Sequence, residues 1–237
     1  MKKTIGILGG MGPEATAYFY ELIVKNTKAE KDQEHIHVVI ESNPEIPPRT
    51  DAVLEQGENP LPYLIEGVRT LRGAGVDFIV MPCVTAHYYY NEIVAQEKIS
   101  FLNLLNETLL YAVREIPELK IAGLISSTGT LKSKLFHETF EKEGIEVINP
   151  NDEEQEKVME AIFGAQGIKA GFRTGSCKEI IHDAAETLIR RGAEAVIAGC
   201  TEVPLVLREE DISVPLIEPL QILAEASILM AGYEVKS

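Results

Sequence analysis

The sequence has few cysteines, few basic residues and no long apolar run, and each shortage excludes a class of protein. Its three cysteines, Cys83, Cys177 and Cys200, are odd in number and widely spaced, and they form no Cys-x-x-Cys motif. A disulfide framework or a zinc site is therefore not expected, and free thiols are the default. No apolar run reaches the ~18 residues that would span a bilayer.

Positive charge is also scarce. Asp and Glu total 37 against 22 Lys and Arg, so the formal net charge is -15 at pH 7. Such a charge repels phosphate backbones and anionic membranes. We therefore expect no nucleic-acid or membrane partner, and local cations must attract any anionic substrate. The apolar stretch Thr4–Leu8 is short and ends at Gly9 and Gly10, which indicates a buried strand rather than a signal peptide, and hence a cytoplasmic protein.

Eight short apolar runs alternate with longer stretches of helical periodicity. The runs are rich in Val and Ile and nearly continuous in hydrophobicity, which is typical of parallel strands covered on both faces. Helical spacing from Leu61 to Leu71 and from Glu179 to Leu188 indicates βαβ units and an α/β fold, with parallel-type sheets flanked by helices. The predicted strands are Thr4–Leu8, His37–Ser42, Asp77–Met81, Ile99–Leu102, Lys120–Ile125, Glu146–Asn149, Glu194–Ala198 and Val214–Ile217.

An internal repeat relates the two halves of the chain. One offset of 117 residues aligns the first strands of the two halves, Gly75 with Gly192, and Cys83 with Cys200. This ordered set of matches predicts two similar α/β lobes that arose by duplication. Each lobe carries one cysteine directly after a buried strand.

The lobe boundaries follow from where the chain crosses over. We predict a first lobe of residues 1–102 plus 208–237 and a second lobe of residues 103–207. Ligands of open α/β sheets bind beyond the carboxyl ends of the strands. The active site is therefore expected in the cleft between the lobes, with the two cysteines approaching one ligand from opposite sides.

Two opposed thiols suit racemisation. One thiolate removes a proton from one face of a carbon, the other thiol returns a proton to the opposite face, and the roles exchange with direction. His87 and Glu202 could assist Cys83 and Cys200 by hydrogen bonding, or could simply begin helices. The alternative of two buried structural cysteines stays open, although their matched positions count against it. Cys177 has no counterpart in the repeat and is interpreted as a bystander.

Several loops offer groups that could bind a carboxylate. The turn Gly9–Ala15 imitates a dinucleotide-binding fingerprint, but its duplicate at Ser126–Thr130 does not. We interpret both turns as anion-binding loops at helix N-termini, with a plain turn role as the alternative. Arg49 follows a proline-stiffened segment and Lys169 lies in a glycine-rich one, and either cation could hold a carboxylate or be an ordinary surface residue.

These residues carry a resemblance to a known family over essentially the whole chain. The sequence resembles the aspartate/glutamate racemase superfamily and is closest to its aspartate racemase branch. The similar motifs are Gly9-Gly10-Met11-Gly12-Pro13, Arg49-Thr50, Met81-Pro82-Cys83 with Thr85-Ala86-His87, Thr128-Gly129-Thr130, and Gly199-Cys200-Thr201-Glu202. The two cysteine motifs in this order are the specific part of the match.

The resemblance implies racemisation of a small amino acid, most simply aspartate or glutamate, without PLP, metal or any other cofactor. It implies that Cys83 and Cys200 are catalytic and that Arg49 and Lys169 lie over the substrate carboxylates. It also implies a homodimer. The groups implied to complete the pocket are those of Met11, Gly12, Thr85, Thr128, Thr130 and Thr201.

One position departs from the family pattern. The first motif usually reads Cys-Asn-Thr, and Val84 stands where the asparagine is expected. An asparagine amide at this point would be expected to hydrogen-bond to the substrate's α-carboxylate or amino group. Valine cannot, and a buried polar group left without a hydrogen-bond partner costs about 1–3 kcal/mol of binding free energy. Open alternatives are therefore a racemase of another amino acid, a related cofactor-free isomerase or decarboxylase, and an inactive amino-acid-binding relative. A nicotinamide enzyme is a more distant alternative.

Overall fold

The computed structural model describes residues 2–236, and the chain divides into two compact units. Unit 1 comprises Met1–Glu107 and Leu220–Ser237, and unit 2 comprises Thr108–Pro219. The sequence places the two crossings after residue 102 and before residue 208. In the structure the first crossing falls inside one helix and the second at the start of another.

Unit 1 contains a four-stranded parallel sheet in the order β2-β1-β3-β4. Its strands are β1 (Ile5–Gly9), β2 (Val38–Ser42), β3 (Phe78–Val80) and β4 (Ser100–Leu102). Its helices are α1 (Pro13–Asn26), α2 (Arg49–Val53), α3 (Leu61–Gly73) and α4 (Tyr90–Gln96), and α5 (Leu104–Glu115) leads into unit 2. Pro13 occupies the first turn of α1, where its missing N–H leaves no helical bond unmade.

Unit 2 repeats this arrangement with a parallel sheet in the order β6-β5-β7-β8. Its strands are β5 (Ile121–Ile125), β6 (Glu146–Ile148), β7 (Ala195–Ala198) and β8 (Leu216–Ile217). Its helices are α6 (Thr128–Ser133), α7 (Leu135–Phe140), α8 (Asp152–Phe163) and α9 (Ser176–Arg190), and α10 (Pro219–Met230) leads back into unit 1.

The predicted fold class is confirmed, and each of the eight predicted strands corresponds to an observed one. The reason is burial on both faces: every residue of β1 and of β7 is buried, so their sequences are continuously apolar. The central strands pack against the helices through separate cores. Leu64, Val68 and Leu71 belong to the core of unit 1, and Ile181 and Leu188 to that of unit 2.

Strand register supports the internal duplication residue by residue. Ile5 pairs with Phe78 in one sheet and Ala122 pairs with Ala195 in the other, each 117 residues further along. In both units a carboxylate at the equivalent position accepts a backbone N–H at the N-terminal end of the first strand. Asp77 accepts the backbone N–H of Thr4 at 2.7 Å, and Glu194 accepts that of Ile121 at 3.2 Å.

The two helices that precede β3 and β7 end in the same way. Gly75 and Gly192 adopt left-handed backbone conformations, with φ of 79° and 99°. The next residue of each, Val76 or Ala193, donates its N–H back to the carbonyl of Leu71 or Leu188. This is the glycine-dependent helix end that satisfies the last free carbonyls and turns the chain toward the strand.

Within residues 2–236, no helix is long and apolar enough to cross a membrane.

Candidate active site

The two catalytic candidates follow equivalent inner strands of the two sheets, β3 and β7. Cys83 comes three residues after the end of β3, and Cys200 comes two residues after the end of β7. Each lies beyond the carboxyl end of its strand, which is where open α/β sheets bind ligands. Cys83 is buried with 7% of its surface exposed, and Cys200 is partly exposed.

In unit 1 the structure brings Arg49 to the loop that contains Met11. The Arg49 guanidinium donates to the backbone carbonyls of Ile46, Pro47 and Met11 at 2.9, 3.0 and 3.0 Å. Its Nε is buried and has no hydrogen-bond partner. Among residues 2–236 no carboxylate forms an ion pair with Arg49, so its charge is balanced only by carbonyl dipoles. A substrate carboxylate is the kind of group that would complete this environment.

Gly12 and Thr16 shape the same loop. Gly12 is the N-cap of α1, and its carbonyl accepts the Thr16 hydroxyl at 2.9 Å. The Thr16 Oγ1 in turn accepts the backbone N–H of Gly10 at 2.9 Å. The turn that follows β1 is therefore held from within by one buried threonine. Sequence reasoning missed Thr16, although a polar residue one turn into a buried helix is a usable signal.

His87 contacts Cys83 through the backbone and not through the thiol. Its Nδ1 lies 2.9 Å from the Cys83 carbonyl, and its Nε2 accepts the backbone N–H of Leu104 at 3.2 Å. Nδ1 must then carry the proton and the ring is neutral. Burial lowers the pKa of His87 to about 4, although the hydrogen bonds at Cys83 and Val84 act to raise it. His87 thus anchors the cysteine loop to the start of α5.

The residues beside Cys83 are buried. Val84, which replaces the expected asparagine, is 4% exposed and belongs to the apolar interior. Thr85 is 9% exposed and begins the short 3-10 helix Thr85–Tyr89. An amide in place of Val84 would therefore need a hydrogen-bond partner of its own.

In unit 2 the turn after β5 is held by Gln155, which sequence reasoning missed. Gln155 Nε2 donates to the Ser126 carbonyl at 3.0 Å and to Thr128 Oγ1 at 3.2 Å. Ser127 caps α6, and its hydroxyl donates to Thr130 Oγ1 at 3.3 Å. Gln155 lies on the buried face of α8 with Val158, so a polar residue in an apolar stripe was the available signal.

Cys200 is one end of a chain of polar contacts in unit 2 that centres on the buried Glu202. Its Sγ donates to Glu202 Oε2 at 2.9 Å, and the Thr201 hydroxyl donates to the same oxygen at 3.1 Å. Lys169 Nζ lies 2.5 Å from the other oxygen, Glu202 Oε1. Glu202 is only 5% exposed, so these contacts are poorly screened by solvent. In the structure Lys169 forms an ion pair with Glu202. The sequence had predicted that Lys169 binds a substrate carboxylate instead.

This arrangement sets the protonation states of Cys200 and Glu202. Burial raises the pKa of the Cys200 thiol well above its ordinary value, and the charge and hydrogen bond of Glu202 raise it further against the opposing effect of Lys169. Burial also acts to raise the pKa of Glu202, but the Lys169 charge and the hydrogen bonds from Cys200 and Thr201 outweigh it and lower that pKa. At neutral pH the geometry therefore favours a protonated Cys200 beside an ionised Glu202.

Among residues 2–236, no three or more His, Cys, Asp or Glu side chains are grouped so that they could hold a metal ion. The third cysteine, Cys177, is buried in the first turn of α9, and its Sγ lies 3.5 Å from the carbonyl of Thr174, which precedes that helix.

Known proteins with similar sequence or structure were compared with the chain over its full length. The aspartate racemase of Picrophilus torridus has 33% sequence identity and a TM-score of 0.86, and the match covers 99% of this chain and 96% of that one. An aspartate racemase homologue from Pyrococcus horikoshii OT3 shares the fold, with 24% identity, a TM-score of 0.79 and coverage of 98% and 100%.

Sequence comparison gives a further relative and the family. The broad-specificity amino-acid racemase of Bacillus subtilis (strain 168) is 29% identical over 229 residues, which are 94% of this chain and 96% of the relative. The model of the Asp/Glu/hydantoin racemase family matches residues 8–227. The chain therefore belongs to the Asp/Glu/hydantoin racemase family.

Proposed function

We propose that this amino-acid racemase interconverts the enantiomers of aspartate by moving the α-proton between Cys83 and Cys200, without a cofactor. The observation that carries the proposal is the matched placement of the two thiols. Each follows the equivalent strand of a duplicated unit, at positions 117 residues apart. A single structural cysteine has no reason to recur in this way. Similarity to an aspartate racemase over nearly the whole chain supports the choice of substrate.

The proposed reaction needs no redox partner. The thiolate of one cysteine takes the α-proton, so a C–H bond breaks, an S–H bond forms, and the electron pair stays on the substrate as an enolate-like anion. The thiol of the other cysteine then gives its proton to the opposite face of the carbon. The product leaves behind an enzyme in which the thiolate and thiol have exchanged positions.

Arg49 and the loops after β1 and β5 are proposed to bind and polarise the substrate. The guanidinium at Met11 offers an unpaired positive charge to a carboxylate and stabilises the negative charge that develops during proton removal. In the proposed site, backbone and hydroxyl groups of the two loops and cysteine motifs complete the pocket. These groups belong to Met11, Gly12, Thr85, Thr128, Thr130 and Thr201.

Glu202 and Lys169 are proposed to make Cys200 the proton donor of the resting enzyme. The Cys200 thiol donates to the Glu202 carboxylate, and Lys169 balances the charge of that carboxylate. Catalysis from this state begins with removal of a proton by Cys83. When Cys200 must act as the base in the opposite direction, Glu202 is the nearest group that can receive its proton.

Single cysteine variants test the two-base scheme. Cys83→Ala and Cys200→Ala should each lose racemisation, because one face of the carbon loses its acid or base. In deuterated water, however, each variant should still exchange the α-proton of one enantiomer, and the two variants should act on opposite enantiomers. NMR of L- and D-aspartate measures both properties. Cys177→Ala is the matched control and should racemise normally; near-full racemisation by either of the other variants would exclude the scheme.

A second candidate function is racemisation of several amino acids. The buried Val84 favours it, because valine cannot hydrogen-bond to a substrate as asparagine would. The relative from Bacillus subtilis, described as a broad-specificity racemase, agrees with it. Val84→Asn should raise aspartate turnover relative to turnover of apolar amino acids, as measured by circular dichroism across a panel. A panel in which aspartate gains nothing would count against Val84 as the cause of a broadened substrate range.

The setting of the reaction also remains as predicted from the sequence. We propose a homodimer in the cytoplasm that acts on a free amino acid and has no nucleic-acid or membrane partner. The net charge of -15 supports the last two points.

A further inference from the structure

Unit 2 contains a cavity whose charged lining residues take no part in the proposed reaction. Its volume is about 840 Å³, and it lies beside the carboxyl end of β6, among α6, the β6–α8 loop and α8. Thr128, which is proposed to help complete the substrate pocket, borders this cavity, whereas Cys200, Glu202 and Lys169 do not line it. The volume is in the range of about 300–1,000 Å³ that small-molecule sites occupy.

Charged side chains of both signs line this cavity. Lys132 and Lys134 come from α6 and the residue after it. Asp152, Glu156 and Glu160 come from α8 at intervals of four residues, so they share one helix face. Within residues 2–236, none of these five side chains forms a hydrogen bond or an ion pair.

The remaining acids of the same helix behave differently. Glu153 pairs with Lys157 at 2.8 Å, and Glu154 pairs with Arg191 at 2.6 Å. Within residues 2–236, the acids of α8 that line the cavity are therefore exposed and unpaired, whereas Glu153 and Glu154 each have a basic partner. The unpaired charges are the ones that a bound molecule could reach.

Two residues of the cavity wall, Gln155 and Lys134, are in unusual states. Gln155 lines the cavity and is 8% exposed, and while its Nε2 makes two hydrogen bonds its Oε1 is buried without a partner. That orientation is required, because the Ser126 carbonyl can only accept. Lys134 holds a left-handed backbone conformation with φ of 54°, which is uncommon for a residue with a side chain and costs about 1 kcal/mol.

We propose that this cavity is a second, regulatory site for an α-amino acid with an apolar side chain. The ammonium group would meet the acids of α8, and the carboxylate would meet Lys132 and Lys134. An anion alone would face three carboxylates, and a cation alone would face two ammonium groups, so a zwitterion is the best match. Leu131, Met159 and Phe163 supply apolar surface for the side chain.

The cavity is connected to the Cys200 contacts through Phe163. The Lys169 ammonium lies 5.4 Å from the centre of the Phe163 ring, a cation–π distance, and Phe163 lines the cavity. Lys169 in turn neutralises Glu202, which holds the Cys200 thiol. An occupant that moves the Phe163 ring would change the position of Lys169 and, through Glu202, the protonation of Cys200.

Binding can be tested without relying on racemase activity. The probe is cycloleucine, a zwitterion with no α-hydrogen, which cannot be racemised. Titrated into the full-length, nitrogen-15-labelled protein, it should shift the backbone amide signals of Lys132, Lys134 and Gly164 before those of the cysteine loops. Cyclopentanecarboxylate and cyclopentylamine each lack one charge and should bind about tenfold more weakly. Shifts confined to the cysteine loops, or equal binding of all three probes, would overturn the proposal.

A charge-removing double variant sharpens the test. Lys132→Gln with Lys134→Asn removes both ammonium groups, and asparagine tolerates the left-handed backbone, so the fold should be retained. Affinity for cycloleucine should fall about tenfold, whereas Lys142→Gln, an exposed lysine elsewhere in unit 2, should leave it unchanged. Thermal unfolding checks that both variants fold.

Regulation of the enzyme by the bound amino acid is tested separately from binding, by the racemisation rate. Only this part of the inference rests on the proposed function. Cycloleucine should change the aspartate racemisation rate of the wild-type enzyme at saturating aspartate, and the double variant should lose that response while keeping its basal rate. Binding at the cavity with no effect on rate would refute regulation. A rate effect that persists in the double variant would place the ligand elsewhere.

Discussion

Glu202 controls the chemistry of Cys200 because one buried carboxylate accepts the thiol, a hydroxyl and an ammonium group at once. Its charge favours the protonated thiol, while the Lys169 charge keeps the carboxylate ionised. Cys200, Glu202 and Lys169, which lies 33 residues from Glu202, thus act as one coupled titrating group. A change at any of them should alter the pH dependence of the others.

Glu202→Gln should lower the pKa of Cys200 relative to the wild type. The amide removes the negative charge and leaves Lys169 close by, so the thiolate forms at lower pH, although burial still acts to raise the pKa. Racemisation should slow by about tenfold, because the thiol loses the partner that orients it. The rate of Cys200 alkylation against pH, measured in a Cys83→Ala, Cys177→Ala background, reports the thiolate directly.

The control for this prediction is Glu143→Gln, an exposed acid in the same unit. It should leave both the alkylation profile and the racemisation rate unchanged. An alkylation midpoint that does not move in Glu202→Gln would mean that the carboxylate does not govern the thiol.

His87 should make folding stability depend on pH. Its pKa is about 4 in the folded protein against an ordinary value of 6.5, so below pH 6.5 the unfolded chain takes up a proton that the folded chain refuses. The stabilisation of the folded state by neutral His87 is constant above pH 6.5. It is lost as the pH falls toward 4, and the total loss in the free energy of unfolding is about 3 kcal/mol. Urea unfolding of the wild type and His87→Asn at pH 7 and pH 5 should show a smaller loss in the variant. His35→Asn should lose as much as the wild type; equal losses in all three proteins would contradict the assignment.

At the scale of elements, the ends of α3 and α9 offer a matched pair of sites. Gly75 and Gly192 have positive φ, and a Cβ would meet nothing closer than 3.8 Å at Gly192 and nothing within 4 Å at Gly75. Replacement by alanine should therefore cost backbone strain alone, about 1 kcal/mol at each site, and replacement by asparagine should cost less. Urea unfolding measures the loss.

Gly73 provides the opposite control. It is the last residue of α3, its φ is not positive, and a Cβ there would meet nothing within 4 Å. Gly73→Ala should therefore stabilise the protein by about 0.5–1 kcal/mol, because it reduces the freedom of the unfolded chain. A loss of stability at Gly73 equal to that at Gly75 would show that positive φ is not the cause.

At the scale of the whole molecule, the expected homodimer has a candidate contact on α5. Leu110 and Val113 are 62% and 41% exposed and lie three residues apart on one helix face. If this face is covered by a second copy, light scattering should give twice the mass of one chain for the wild type and the mass of one chain for Leu110→Arg. A monomeric wild type would contradict the prediction.

The site was predicted less completely than the fold, and particular residues explain the difference. The carboxyl ends of β3 and β7 place Cys83 and Cys200, so a sequence that predicts the strands also places the cysteines. The partners of those residues lie on other elements. Lys169 is 33 residues from Glu202, and His87 is 17 residues from Leu104. No local pattern indicates which of several acids a lysine will meet.

The two parallel sheets, their internal repeat and the strand-end position of each cysteine could all be inferred from the amino-acid sequence. These features follow from short-range periodicity and burial, and both are visible along the chain. The folded structure was needed to show that Arg49 contacts the Met11 carbonyl, that Lys169 pairs with Glu202 and that His87 is neutral. Such contacts depend on which distant side chains are brought together and how far water is excluded from them, because burial sets the strength of each charge and hydrogen bond.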